Sequence, residues 1–145
     1  HAGVFSEASG PGDHSLDPGF ELKAIGDADA CMHSAGQGDG EVDITGLETS
    51  LTGVLEVIVR KDLKLTWPRG ETPTHWITMG ADKDLVIATK TALRQAIEFL
   101  QTKGLSKDDA YMLTSVACDV RITQLVDGNV GAHVMIPKAI FTKGK

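Results

Sequence analysis

The chain contains few cysteines, no long apolar run and no pattern typical of a signal peptide, and each shortage narrows the expected class of protein. Its two cysteines, Cys31 and Cys118, lie far apart, and neither belongs to a CxxC pair. A disulfide between them stays open, but two reduced thiols in a cytosolic protein are the simpler interpretation. No apolar run approaches the length of a membrane span. No charged n-region precedes an apolar h-region, as it would in a signal peptide. We therefore expect a cytoplasmic protein without a membrane partner.

Basic residues are also scarce: 14 lysines and arginines stand against 20 aspartates and glutamates, for a formal charge of −6. They form neither a block nor a stripe interleaved with aromatic residues, which argues against a nucleic-acid partner. What the chain does contain is an ordinary globular composition, with 41% apolar and 23% charged residues over 145 positions. This length suits one domain or two small interlocked ones.

The first half of the chain carries the patterns of β-structure. Residues 1–19 are rich in glycine, proline, serine and aspartate, and they predict irregular chain with turns. Strands are predicted at residues 20–25, 41–46, 51–59, 64–67 and 75–79, where short stretches are apolar or alternate with polar residues. A turn is predicted at Pro68-Arg69-Gly70, and the last of these strands is expected to end at Gly80.

The second half of the chain predicts two helices and a hairpin. Residues 82–103 place apolar side chains at helical spacings, and Gly104 follows them as a C′ residue would. Ser106 begins a second helix with a variant of the capping box. Residues 119–136 predict a strand, a turn at 127–129 and a second strand. We expect an α+β fold with a β-rich part at 1–80 and a helix-helix-hairpin part at 81–145, interlocked as two parts or as one domain.

The stretch GQGDGEVD at residues 36–43 joins glycines to closely spaced acidic residues. If a strand begins at Asp39, then Asp39, Glu41 and Asp43 share one face, and burying three like charges together is costly without a counter-ion. A divalent cation would resolve this conflict, with His33 and Asp27 within reach as further ligands. A solvated acidic loop with glycines for its turns explains the same residues, and no HExxH signature decides between the two.

Other polar residues give weaker signals. Glu71 and His75 flank a turn, where such a pair is more often ordinary surface. Asp119 and Arg121 share a strand face and are expected to pair with each other. Cys118 lies on the apolar side of a helix end and is expected in the core rather than as a nucleophile. No GxSxG, Ser-His-Asp or phosphate-binding glycine pattern occurs.

Several stretches together resemble the acetamidase/formamidase family. They are, in the family's order, HAGVFSEASGPGDHS (1–15), GQGDGEVDITGLETS (36–50), PRGETPTHWITMG (68–80), ALRQAIEFL (92–100), LSKDDAYMLTSVACDVRITQLVDG (105–128) and HVMIPKAIF (133–141). The GDGE motif alone is a weak signal, but its combination with ETPTH, AYML and VDG is specific. The resemblance covers most of residues 26–141.

The resemblance implies a hydrolase that cleaves the carbon–nitrogen bond of short linear amides, or of γ-lactams in some relatives, and releases ammonia and a carboxylate. It also implies a β-sandwich-like or barrel-like sheet portion beside an α/β subdomain, and a bound divalent metal, zinc. A small amide is then the expected substrate.

On this interpretation the candidate site residues fall into three groups. The expected metal ligands are Asp27, His33 and Asp39. The expected catalytic residues are Glu41, as the base or a fourth ligand, with Glu71 and His75, which would orient the amide or protonate the departing ammonia. The expected substrate-binding residues are Gln37 and Thr74.

The chain departs from the family pattern near this site. Relatives are longer, with a further N-terminal β-rich portion and a GGN-x-D motif before Gly26. Where relatives read GD-x-HA-x-x-GDGE, this chain reads GDADACMHSAGQGDGE, with Asp29 in place of histidine and His33 closer to GDGE. Either His33 substitutes after a small insertion, or the metal site is incomplete. The chain begins at His1 without methionine, which we interpret as processing, trimming or one piece of a longer protein.

Two functional hypotheses follow from these observations. The first is a metal-dependent amidase, or part of one. The second is a non-catalytic shortened relative that acts as an assembly module. The second hypothesis predicts an apolar surface where the missing β portion would pack, and hence a homo-oligomer or a second chain that supplies that portion.

Overall fold

The computed structural model describes residues 20–24, 38–43, 55–59, 62–126 and 128–142. The elements in this part of the chain are β1 (Phe20–Ala24), β2 (Leu55–Val59), β3 (Arg69–Glu71), β4 (His75–Asp82), α1 (Leu85–Thr102), α2 (Lys107–Ala117), β5 (Asp119–Gln124), β6 (Val130–Pro137) and a 3-10 helix at Lys138–Ile140. The predicted α+β class, with two helices and a C-terminal hairpin, is confirmed.

The strands form an antiparallel sheet in the order β3-β4-β6-β5, and β1 pairs with β2 in a separate two-stranded sheet. Within the described residues the four-stranded sheet is open, with β3 and β5 as its edges. Strand β4 continues through Gly80 to Asp82 and so runs across the boundary expected between residues 80 and 81. The division into two parts stays a prediction.

Local capping explains where the helices begin and end. The Asp84 side chain accepts from the backbone N–H groups of Val86 and Ile87 and caps α1. Gly104, with φ of 95°, follows the C-cap of α1, and Ser106 caps α2, so both predicted helix signals are confirmed. No helix in the described part of the chain is both long and apolar enough to cross a membrane.

The core lies between α1 and the central strands β4 and β6. Its buried cluster consists of Ala92, Ala96, Phe99, Leu100, Ala110, Val134 and Ile136. Gly80 lets the helix approach closely, because a Cβ there would lie within 2.8 Å of backbone atoms of Ala88 and Ala92. The buried Thr78 hydroxyl donates to the Ala92 carbonyl at 3.0 Å, which also fixes α1 on β4.

Several local predictions are wrong. The triplet Pro68-Arg69-Gly70 does not form the turn, because Arg69 and Gly70 begin β3, and the chain turns instead at residues 72–74. Residues 64–67 form no strand.

Candidate functional site

The acidic segment at residues 38–43 forms a turn beside the end of β5. Gly40 donates its backbone N–H to the Thr123 carbonyl at 3.1 Å, and its own carbonyl accepts from the Leu125 N–H at 2.8 Å. The backbone φ angles of 104° at Gly40 and 32° at Glu41 reverse the direction of the chain. The turn is therefore fastened to the sheet edge by two backbone hydrogen bonds.

The prediction that Asp39, Glu41 and Asp43 share one face of a strand is wrong. Residues 41–43 lie outside any strand, and Gly40 forms only an isolated bridge with β5. Positive φ angles at consecutive residues break the two-residue alternation that the prediction assumed. Asp43 is exposed at a bend, whereas Glu41 is partly buried.

Asp39 is held by a cation on β5. Its Oδ2 lies 3.4 Å from Nη1 of Arg121, and Nη2 of the same guanidinium lies 3.3 Å from Oδ2 of Asp119. The predicted pairing of Asp119 with Arg121 is thus confirmed, and Asp39 is a second partner. These side chains are between 44% and 67% exposed, so the pairs orient Asp39 more than they stabilise the fold.

His133 on β6 is a candidate functional residue that the sequence analysis missed. It lies directly opposite Arg121 in the ladder, is 1% exposed, and its Nδ1 lies 2.8 Å from the Thr123 hydroxyl. Its Nε2 lies 3.8 Å from Oδ2 of Asp39. Burial lowers the pKa of the imidazole below its usual value, the Asp39 carboxylate opposes this, and the Arg121 guanidinium adds to it. The ring is therefore neutral at pH 7.

Glu41 carries the least satisfied polar atom of the site. Its Oε2 is buried and has no hydrogen-bond partner among the residues that the structure describes. A buried carboxylate oxygen without a donor is energetically costly, and native proteins retain such groups mainly where they have a role. The side chain stands on a residue with a left-handed φ, which is also uncommon outside functional turns.

The structure does not bring Glu71 or His75 to this turn. Glu71 lies on β3, the opposite edge strand, which is separated from β5 by three strand spacings or roughly 14 Å. Its carboxylate accepts a hydrogen bond from Nζ of Lys138 at 2.5 Å. His75 is paired with Pro137, four residues along β6 from His133, or roughly 13 Å. Because Glu71 lies opposite Trp76, it points to the face of the sheet that α1 covers. The adjacent His75 points to the other face, which also carries Arg121 and His133.

Of the remaining predicted site residues, Thr74 alone lies in the described part of the chain. Thr74 is exposed at the β3–β4 turn, with its hydroxyl 2.9 Å from Nδ1 of His75. Asp27, His33 and Gln37 lie outside the described residues. The roles expected for these residues, and for Glu71 and His75, stay predictions.

The described side chains do not by themselves fit a divalent metal ion. Among them, no group of three histidine, cysteine, aspartate or glutamate residues is close enough to hold one. Of Asp27, His33 and Asp39, Asp39 alone lies in the described ranges, and it faces the Arg121 guanidinium, a cation that would compete with a metal for the carboxylate. The metal expectation therefore depends on Asp27 and His33.

Together these residues form a candidate acid–base site at the edge of the four-stranded sheet. It consists of a carboxylate with one buried oxygen, a second carboxylate held by a guanidinium, and a neutral imidazole, which are groups that hydrolases use. The model of the Acetamidase/Formamidase family matches residues 24–143. The chain therefore belongs to this family, which confirms the resemblance seen in its motifs.

Solved structures give the same result. The chain is similar to an acetamidase from Bacillus halodurans, with 32% identity and a TM-score of 0.69, over 74% of this chain and 37% of that one. It is also similar to an acetamidase from Yersinia enterocolitica, with 32% identity and a TM-score of 0.72, over 76% of this chain and 34% of that one. It thus spans little more than a third of these relatives. Among curated proteins, none matches this chain.

Proposed function

We propose that this chain forms part of the active site of an amidase that hydrolyses short linear amides of the formamide and acetamide type. Membership of the family and similarity to two acetamidases support the reaction class. Within the chain, one observation carries the proposal: the buried Oε2 of Glu41 lacks a hydrogen-bond partner in the described part. A carboxylate in that state is a suitable acceptor for a proton from water.

In this mechanism Glu41 acts as the general base. Its carboxylate takes a proton from a water molecule while the water oxygen attacks the amide carbonyl carbon, which gives a tetrahedral intermediate. Glu41 then returns the proton to the nitrogen, the carbon–nitrogen bond breaks, and ammonia and the carboxylic acid leave. Return of the proton matters because an amide anion is a very poor leaving group, whereas ammonia is a good one.

The neighbouring residues keep this turn in place. Arg121 holds Asp39, and the backbone of Gly40 holds the turn on β5, so the two residues that immediately precede Glu41 are fixed in position. His133 is neutral, and its Nδ1 is engaged by Thr123, which leaves Nε2 directed towards Asp39. We assign these residues positioning roles.

A divalent metal, zinc, bound by Asp27, His33 and Asp39, is a separate proposal. It follows from the family resemblance, and no step described above depends on it. Elemental analysis of the purified chain tests it, because a resident ion appears in stoichiometric amount and an incidental one does not.

The substitution Glu41→Gln tests the proposed base. It keeps the size of the side chain but removes the proton acceptor, so we expect kcat for acetamide to fall by about a hundredfold or more with little change in KM. The matched control is Asp43→Asn, which neutralises an exposed carboxylate two residues away and should leave kcat unchanged. Ammonia release measures both, and circular dichroism verifies folding. Equal activities of Glu41→Gln and the parent chain would contradict the proposal.

A non-catalytic assembly module is the second candidate function. The chain spans little more than a third of its relatives, and Val116, Val120 and Ile122 are exposed apolar residues. If the folded chain releases no ammonia from formamide or acetamide, with or without added divalent metal, this candidate replaces the amidase.

A further inference from the structure

Strand β5 is an edge strand, and its outer side forms few hydrogen bonds with other described residues. It bonds to β6 on one side. On the other side, within the described ranges, its backbone bonds to Gly40 through the Thr123 carbonyl and the Leu125 N–H. Residues 119–122 have no further strand beside them among the described residues. Edge strands of this kind present backbone donors and acceptors that pair readily with another chain.

The side chains along this segment alternate between apolar and charged. Val120 and Ile122 are 47% and 37% exposed, and they lie on the helix side of the sheet, because Val120 is opposite the core residue Val134. Asp119 and Arg121 lie on the other side and carry opposite charges. The alternation makes one side of the edge apolar and the other side charged.

Cys118 extends this edge by one residue. It caps α2 with φ of −107° and ψ of 147°, an extended backbone that continues the strand, and it lies on the apolar side with Val120. In the described part of the chain, the edge without a partner strand is therefore residues 118–122, bounded by α2 at one end and by the Gly40 bridge at the other. Its central residue is Val120.

We propose that β5 pairs antiparallel with β5 of a second copy of this chain, about a two-fold axis through Val120. In that register Asp119 lies opposite Arg121 of the second copy, and the same pair repeats on the other side of the axis. Val120 meets its own copy, and Ile122 lies opposite Cys118. The two four-stranded sheets join into one continuous sheet.

The charge pattern favours this register over the registers in which the two-fold axis is shifted along β5. An axis through Asp119 would place two aspartates opposite each other, and an axis through Arg121 would place two arginines opposite each other. An axis between two residues would put a charged side chain opposite an apolar one. Val116 and Met112, which are 81% and 58% exposed, are further apolar residues on α2, the helix that leads into β5.

A charge swap tests the proposal on the chain as it stands. We expect the parent chain to sediment as a dimer of twice 15.4 kDa in analytical ultracentrifugation with reductant present. Arg121→Glu places two acidic side chains opposite each other and should raise the dimer dissociation constant about tenfold or more. Adding Asp119→Arg to that variant exchanges the two charges and should restore the dimer, since the pairs re-form with reversed sign.

Two controls separate pairing from damage to the fold. Arg94→Glu changes the net charge equally on the exposed side of α1 and should leave the dimer intact. Loss of the contact between Arg121 and Asp39 persists in the double variant, so an effect that arises from this contact would not be rescued. Because the swap also restores the ion pair between residues 119 and 121 within one chain, urea unfolding of each variant separates a change in folding from a change in pairing. The proposal is overturned by a monomeric parent chain, by a larger oligomer, by a dimer that tolerates Arg121→Glu, or by a double variant that stays monomeric.

Discussion

Cys118 at the end of α2 shows how position determines the reactivity of a single residue. Burial raises the pKa of its thiol from the usual 9.0 to about 11, and the adjacent Asp119 carboxylate acts in the same direction. The thiol also packs against the core cluster. The expectation of a core residue rather than a nucleophile is consistent with both facts.

Alkylation tests this assignment. The thiolate is the reactive form of cysteine, so a pKa of about 11 instead of 9.0 should slow the reaction of Cys118 with iodoacetamide about a hundredfold at pH 8, relative to an unperturbed thiol. The reaction rate should then rise about tenfold with each pH unit until the pH reaches about 11. The measurement is peptide mass spectrometry on a Cys31→Ser variant, with the same variant unfolded in urea as the control. Equal rates in the folded and unfolded states would refute it.

At the scale of single residues, the carboxylates of the candidate site were predictable from the sequence, whereas Thr123 and His133 were not. Asp39 and Glu41 stand out in the sequence because acidic residues and glycines are crowded there. Thr123 and His133 do not stand out in the sequence, since they contact Gly40 and Asp39, which lie more than 80 positions earlier, only in the folded chain. One signal was available: a histidine within the apolar strand VGAHVMIP is a buried polar group that requires partners.

At the scale of elements, the contact of α1 with β4 depends on the absence of a side chain at Gly80. A Cβ there would overlap backbone atoms of Ala88 and Ala92, so Gly80→Ala should lower the free energy of unfolding by about 3 kcal/mol. The matched control is Gly70→Ala, where the nearest atom is the Ile77 Cβ at 3.4 Å and the expected change is below about 1 kcal/mol. Urea unfolding measures both, and equal losses would count against the close approach.

The helices were predictable because their signals are local, and β3 was not. Gly104 and Ser106 act on backbone groups within a few residues, so the sequence alone identifies the ends that they define. Strand β3 contains a turn-like Arg69-Gly70 pair and becomes a strand only through its pairing with β4. That pairing is a tertiary interaction, and tertiary context overrides local propensity.

At the scale of the whole molecule, stability should decrease from the centre of the sheet to its edges. Strands β4 and β6 are covered by α1 and bonded on both sides, whereas β3 and β5 are edges of the described sheet. We expect the slowest amide hydrogen exchange in β4, β6 and α1, and faster exchange in β3 and β5 at low protein concentration. Exchange in β5 as slow as in β6 under dilute conditions would disagree with this order.

The register shift between Ile122 and Gln124 has a consequence for how the chain tolerates changes in length. Thr123 is the extra residue of this bulge: Ile122 faces Ala132 and Gln124 faces Gly131, with no counterpart for Thr123. Yet Thr123 supplies both the carbonyl that binds Gly40 and the hydroxyl that contacts His133. Deleting this one codon would give a more regular hairpin that no longer carries its acidic turn, whereas a substitution at this position keeps the backbone carbonyl that binds Gly40.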